Sequence, residues 1–278
     1  MIDVLFTSEF GQRALVAATV IGLVAPLVGA FLVQRRLSLV GDGIGHLALA
    51  GVALGALVGI SGIWGALIVA ALGAVLLEAL RVRGRLTGDL SLALIFYLGI
   101  AAGAVGLSLA GRFNTSVLGV LFGTLFALSW SDVLVVAALG GVVVLAVVLV
   151  YRPLLAVALD EETARAAGLP VESLNLLLVG LTALLVVGGM RVVGLLLVAA
   201  LMVVPVAAGS KVAHSFRATV VWAAAVGAAS AWVGLVLAAW HGRLVPGGTI
   251  VLTAIAAFIV FAAVGRRTAR AHRPREAR

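Results

Sequence analysis

Asp42 and His46 stand four residues apart in the run LSLVGDGIGHLALAGVALGAL, residues 37–57, where the surrounding residues are almost all apolar or glycine. A spacing of four puts a carboxylate and an imidazole on one face of a helix, one turn apart. Together they offer an oxygen and a nitrogen donor, half of a coordination shell for a first-row divalent cation. Two donors hold an ion loosely, which suits passage better than storage. The same spacing also has a structural reading, in which the two side chains bond each other or Asp42 caps a break in the helix. An isolated D-x-x-x-H leaves both readings open.

Little else in the chain suggests chemistry. There is no cysteine, so disulfides, iron–sulfur clusters and thiolate metal sites are excluded. No G-x-S-x-G or H-E-x-x-H occurs, and no catalytic residue is expected. The single lysine, Lys211 in AGSK, lacks the spacing of a nucleotide-binding P-loop, so any ATP hydrolysis would fall to another chain. No permanently bound cofactor is expected.

The elements that must position Asp42 and His46 follow from composition. Of 278 residues, 64% are hydrophobic and 11% charged, against about 45–50% and about 25% in soluble domains. Mean hydropathy is +1.28. Lipid is the solvent for most of such a chain, and the fold class is an all-α, multi-pass membrane protein. Nine apolar segments approach the length of about 20 residues that crosses a bilayer. They lie near 14–33, 39–60, 63–80, 90–110, 132–150, 173–189, 192–209, 217–239 and 249–265. The shorter apolar segment 117–128 reads as a re-entrant or interfacial helix. The start, MIDVLFTSEFGQR, carries no signature of a cleavable signal peptide.

The net charge of +8 could point to nucleic acid, but its distribution points to topology instead. With the N-terminus outside and nine alternating spans, the inner segments hold fifteen of the nineteen basic residues, including Arg35, Arg36, Arg81, Arg152, Lys211 and Arg217. The outer segments hold Arg13, Arg112, Arg191 and Arg243. That asymmetry predicts N-out and C-in, with no nucleic-acid partner. Arg36 then marks the inner boundary, and His46, ten residues on, lies about 15 Å deeper, near the midplane. An ionised Asp42 in such a place is costly unless it faces protein or water. Gly41, Gly43 and Gly45 leave room beside it for a hydrated ion or for another helix.

One permease-like domain is expected over 1–265, followed by a basic, disordered cytoplasmic tail over 266–278. The inner loop 151–173, YRPLLAVALDEETARAAGLPVES, has a character of its own. Asp160 is placed to cap a short helix with Glu161 and Glu162 in its first turn, and Gly168 and Pro170 end it. Such a helix is either a solvated connector or a docking element for a cytoplasmic partner. Glu78 and Arg81, three apart, read as a boundary ion pair. Asp89 reads as the cap of the fourth span, and His214, His241 and His272 as loop histidines. Met190 and Met202 read as core, and Pro205 as a kink.

Five segments, in order, carry a family resemblance. RRLSLVGDGIGHLALAGVALGAL, VLGVLFGTLFALSWSD, LDEETARAAGLP, VGLLLVAALMVVPVAAG and LVPGGTIVLTAIAAF resemble the motifs of the ABC-3 family, the integral-membrane permeases of zinc, manganese or iron ABC importers. The resemblance implies the architecture of the larger cobalamin and siderophore importers without their first helix. It implies a second permease copy, a cytoplasmic ATPase dimer and an extracytoplasmic metal-binding protein as partners, in a prokaryotic cytoplasmic membrane. The family's metal-contacting aspartate and histidine fall on Asp42 and His46. Its D-x-x-x-A-x-x-x-G coupling loop falls on Asp160, Glu161, Ala164 and Gly168. Two positions depart from the pattern: Gly45 replaces the family serine and Ala50 the family proline, which removes a hydroxyl and a potential kink. A permease for a metal chelate and a secondary cation transporter are the competing expectations.

Overall fold

The computed structural model describes residues 2–82, 88–111, 119, 121, 123, 128–242 and 244–271. All regular structure among them is helical: α1 (Ile2–Thr7), α2 (Glu9–Gln34), α3 (Val40–Val58), α4 (Gly62–Val82), α5 (Gly88–Leu109), α6 (Trp130–Leu149), α7 (Tyr151–Leu159), α8 (Glu161–Ala166), α9 (Val171–Val193), α10 (Leu195–Gly209), α11 (Phe216–His241) and α12 (Pro246–Ala271). The segment 117–128, expected to be re-entrant, lies almost wholly outside the described residues. α12 continues as helix to Ala271, six residues into the basic tail; 272–278 are not described.

Among the described residues eight helices are long and apolar enough to cross a bilayer, not nine. The ninth expected span, 192–209, is the exception, because Gly194 interrupts it and leaves α10 with 15 residues. At about 1.5 Å per residue, α10 covers roughly 22 Å, short of the bilayer core. Gly194 adopts φ +88° and ψ 153°, a region that side chains disfavour. The chain doubles back there: a Cβ on Gly189, five residues before the break, would touch Val198, four residues after it. α9 and α10 are thus a helical hairpin joined by one residue. Pro205 lies within α10, and the helix runs on to Gly209.

α3 packs closely against helices on both sides. Lipid tails are as apolar as leucine, so helices in a membrane associate through close packing, and small residues allow it. α3 carries Gly51 and Gly55 in a G-x-x-x-G pair toward α4, where a Cβ on Gly51 would come within 2.7 Å of the Ala66 Cα. On its other side α5 presents Gly99, Gly103 and Gly106, and a Cβ on Gly99 would lie 2.6 Å from the backbone of His46 and Leu47. The helix bearing Asp42 and His46 is therefore held in a slot between two glycine-lined neighbours. It runs unbroken past Ala50, the position where the family pattern has proline.

At the other level of the fold, aromatic rings tie elements together. Phe31 of α2 meets Tyr151 of α7 edge-on at 5.9 Å between centroids, and Phe216 of α11 at 5.0 Å. Ser129 and Asp132 form a reciprocal capping box that starts α6. Arg13 pairs with Glu9 and donates to the Leu128 carbonyl at 3.1 Å, fixing α2 against the entry to α6. Asp89 falls at the second residue of α5 rather than before it.

Candidate metal-contact site

α2 ends in a tight turn in which Arg36 adopts φ +59° and Leu37 donates its N–H to the Leu32 carbonyl at 2.8 Å. Five residues after α2, α3 begins with no side-chain cap at Leu39. Asp42 occupies its first turn, where unpaired N–H groups give the helix end a partial positive charge that attracts an anion. His46 follows one turn on.

The two side chains face each other without bonding. His46 Nε2 stands 3.9 Å from the nearer Asp42 oxygen, Oδ1, beyond hydrogen-bond range. Neither side chain caps the helix. The pair thus stands at ion-pair distance with no hydrogen bond between the two side chains and no side-chain cap at the start of α3. Two ligand bonds of about 2.1 Å span roughly 4.2 Å end to end, so one ion can touch both atoms at the observed separation. The His46 ring is held edge-on by Phe96 at 4.7 Å between centroids, and its Nδ1 is buried with no hydrogen-bond partner.

Asp42 opens on a cavity of about 530 Å³ between α3, α10 and α12. Its walls are apolar, built largely from Leu196, Ala199, Ala200, Val203 and Val251, and among the described residues Asp42 is the only acidic one lining it. The room beside the glycines has gone to helices. A Cβ on Gly41 would meet Met202, one on Gly43 would meet Leu92, and one on Gly45 would overlap Leu195. The missing serine hydroxyl at position 45 is thus replaced by a leucine from α10. Among the described residues no group of three or more histidines or carboxylates gathers at one point.

The second expected site is α8. Asp160 caps it as anticipated: its Oδ1 accepts from the backbone of Glu162 at 3.0 Å and of Thr163 at 3.1 Å. Glu161 and Glu162 occupy the first turn, Ala164 is buried beneath, and Gly168 turns the chain with φ +80°. Hydrogen bonds from Thr163, the hydroxyl foremost, hold the Asp160 carboxyl below its ordinary pKa.

One polar cluster was missed by sequence reasoning. Arg35 donates to Asn175 Oδ1 at 2.6 Å and to Glu161 Oε2 at 2.8 Å. Asn175 in turn donates to Glu78 Oε1 at 2.9 Å. Glu78 also takes the expected hydrogen bond from Arg81, at 3.1 Å. The available signal was Asn175 itself, an amide inside the apolar run SLNLLLVG and 1% exposed.

These features coincide with clear relationships to known proteins. The family model of the ABC 3 transport family matches residues 7–265. The manganese import system permease protein ScaB of Streptococcus parasanguinis is 31% identical over 259 residues, which cover 93% of this chain and 92% of that protein. The manganese transport system membrane protein MntC of Halalkalibacterium halodurans is 30% identical, covering 92% and 87%. Among solved structures, PsaBC from Streptococcus pneumoniae in complex with Fab superposes with a TM-score of 0.83 at 30% identity, covering 94% of this chain and 93% of that one. The chain is a multi-pass membrane protein and belongs to the ABC 3 transport family, the integral-membrane permeases of metal ABC importers.

Proposed function

We propose that this permease carries a divalent transition metal ion, manganese first among zinc, manganese and iron, into a prokaryotic cell across the cytoplasmic membrane. The observation that carries the reading is the Asp42–His46 pair: two donors 3.9 Å apart on one helix face, unbonded to each other, with Asp42 open to a cavity. The names of the relatives, which specify manganese, favour that metal. Oxygen and nitrogen donors suit it as well, although donor type alone does not separate it from zinc or iron.

Two ligands are too few to strip an ion of its water, so a second permease copy supplies a matching pair across the path. The N-terminus faces outside and the C-terminus inside. Because the chain reverses at Gly194, α9 and α10 act as an outward and an inward pass, which keeps the parity that the charge asymmetry requires. A cytoplasmic ATPase dimer docks on the loop around α8, through Asp160, Glu161, Ala164 and Gly168, and an extracytoplasmic protein delivers the metal. ATP binding and release drive alternating access of the path. Acid weakens transport because protons compete with the metal for both donors.

The test is ATP-dependent manganese uptake into proteoliposomes holding the permease and its ATPase, with zinc and iron as competitors. Asp42→Ala and His46→Ala each abolish uptake while leaving assembly intact. Wild-type uptake by either folded variant removes the pair from the path. Uptake of a metal only as an organic chelate would replace the free ion as substrate, and uptake without the ATPase would make the chain a secondary transporter.

A further inference from the structure

The polar cluster at the end of α2 joins four elements, and its arrangement has a direction. Arg35 is nearly buried, with 6% of its side chain exposed. One guanidinium nitrogen is bonded to Asn175 of α9 and another to Glu161 of α8. Asn175 passes the link to Glu78 of α4, which Arg81 completes. Two cations, two carboxylates and one amide thus satisfy each other. Glu161 is the α8 residue in this cluster; Arg165 reaches only its outer edge, at 3.7 Å from Glu161.

Arg35 is also the first residue after the helix that leads to the metal-contact site. Between Arg35 and Val40 four backbone N–H groups are hydrogen-bonded. Arg35 donates to Phe31, Arg36 to Val33, Leu37 to Leu32 and Val40 to Leu37. Asp42 lies in the first turn beyond. A displacement of Arg35 therefore reaches the start of α3 through a stiff connector rather than a slack loop.

We propose that the Arg35–Glu161 bond is the strut that carries movement of α8 to α3, with Asn175 and Glu78 as its seat on α9 and α4. This rests on the reading of the chain as an ATP-driven metal permease and specifies how that drive arrives at Asp42 and His46. Arg35, Asn175 and Glu161 are positioning residues: none touches the ion. A charged, hydrogen-bonded link suits the task because it has a defined made state and a defined broken one, whereas apolar packing slides.

The experiment uses the complete transporter, permease with its ATPase, in proteoliposomes. The chain has no cysteine, so a single one can be placed at Ser38, in the cavity wall. Its reaction with a membrane-impermeant maleimide, with and without ATP and in the absence of metal, reports whether the α3 end of the path moves. Arg35→Ala keeps assembly and hydrolysis but loses the ATP-dependent change in labelling, and metal moved per ATP falls by about tenfold. Arg35→Lys, whose ammonium still donates to Glu161, recovers most of both. The strut is overturned if Arg35→Ala keeps metal per ATP within about twofold of wild type. It is equally overturned if Arg35→Ala loses its ATPase subunit, or if Arg35→Lys fares no better than Arg35→Ala. Failure of the metal reading shows separately: the wild-type complex then changes labelling with ATP but accumulates no manganese.

Discussion

Replacing Gly99 with alanine tests the slot that holds the metal-contact helix. The added methyl would lie 2.6 Å from the His46 carbonyl carbon and from the Leu47 nitrogen, whereas ordinary contact begins near 3.4 Å. α5 must therefore retreat from α3 by roughly 0.8 Å, since the obstacle is backbone and cannot rotate aside. Overpacking of this kind costs about 1–3 kcal/mol, and the upper half of that range is expected because no side chain can yield. The usual helix-propensity gain of alanine over glycine offers little relief, since the separated helices remain helical in lipid. The retreat also moves Phe96, which braces His46 from the same helix. That strain is common to the metal-free and metal-bound forms, so it is read as a lower apparent Tm, while the displacement of Phe96 from His46 raises the dissociation constant for a divalent metal in addition. Gly141→Ala in α6 is the matched control, because a Cβ there meets nothing within 4 Å. An unchanged dissociation constant and a Tm equal to that of Gly141→Ala would refute the slot.

Gly194→Ala forces a side chain into φ +88°, ψ 153° and costs about 1–3 kcal/mol, read as a lower apparent Tm. Asn175→Leu removes a buried amide that joins Arg35 to Glu78, leaving two charged groups short of partners; a loss of about 3 kcal/mol or more is expected, from thermal melts of the assembled complex. Asp160→Ala uncaps α8 and lowers ATPase affinity in a pull-down titration. Because Thr163 holds the Asp160 carboxyl below 3.8, its stabilising effect is present above that value and disappears only as pH falls through the lower folded-state pKa. Wild-type docking through this cap should therefore be flat between about pH 5 and 8, and Asp160→Asn should dock like wild type there.

What the sequence made legible was whatever has a one-dimensional signature. Apolar length revealed the spans, and i, i+4 spacing put Asp42 and His46 on one face. The D-E-E-T-A-R-A-A-G pattern announced a capped helix with a glycine stop, which α8 is. What it hid depends on pairs distant in the chain. Gly99 and His46 are far apart in sequence, so nothing local said that one packs on the backbone of the other. The Arg35–Glu161 bond crosses more than a hundred residues, and Asn175 drew no notice because its partners were out of sight. Gly194 misled differently: an apolar run reads as continuous, and one residue in an unusual conformation turned the expected span into the short arm of a hairpin. Gly45 was read as a lost hydroxyl, while its effect in three dimensions is to admit Leu195.

That hairpin gives α10 the mechanics of a lever. Its only covalent connection to α9 is one residue with two free torsions, and its 15 residues make an arm of roughly 22 Å. A rotation of about 10° at Gly194 would shift the far end, near Gly209, by roughly 4 Å while hardly disturbing Leu195 beside Gly45. Because α10 forms one wall of the cavity at Asp42, such a swing widens or narrows the passage at its Val203 side and changes it little at Leu196.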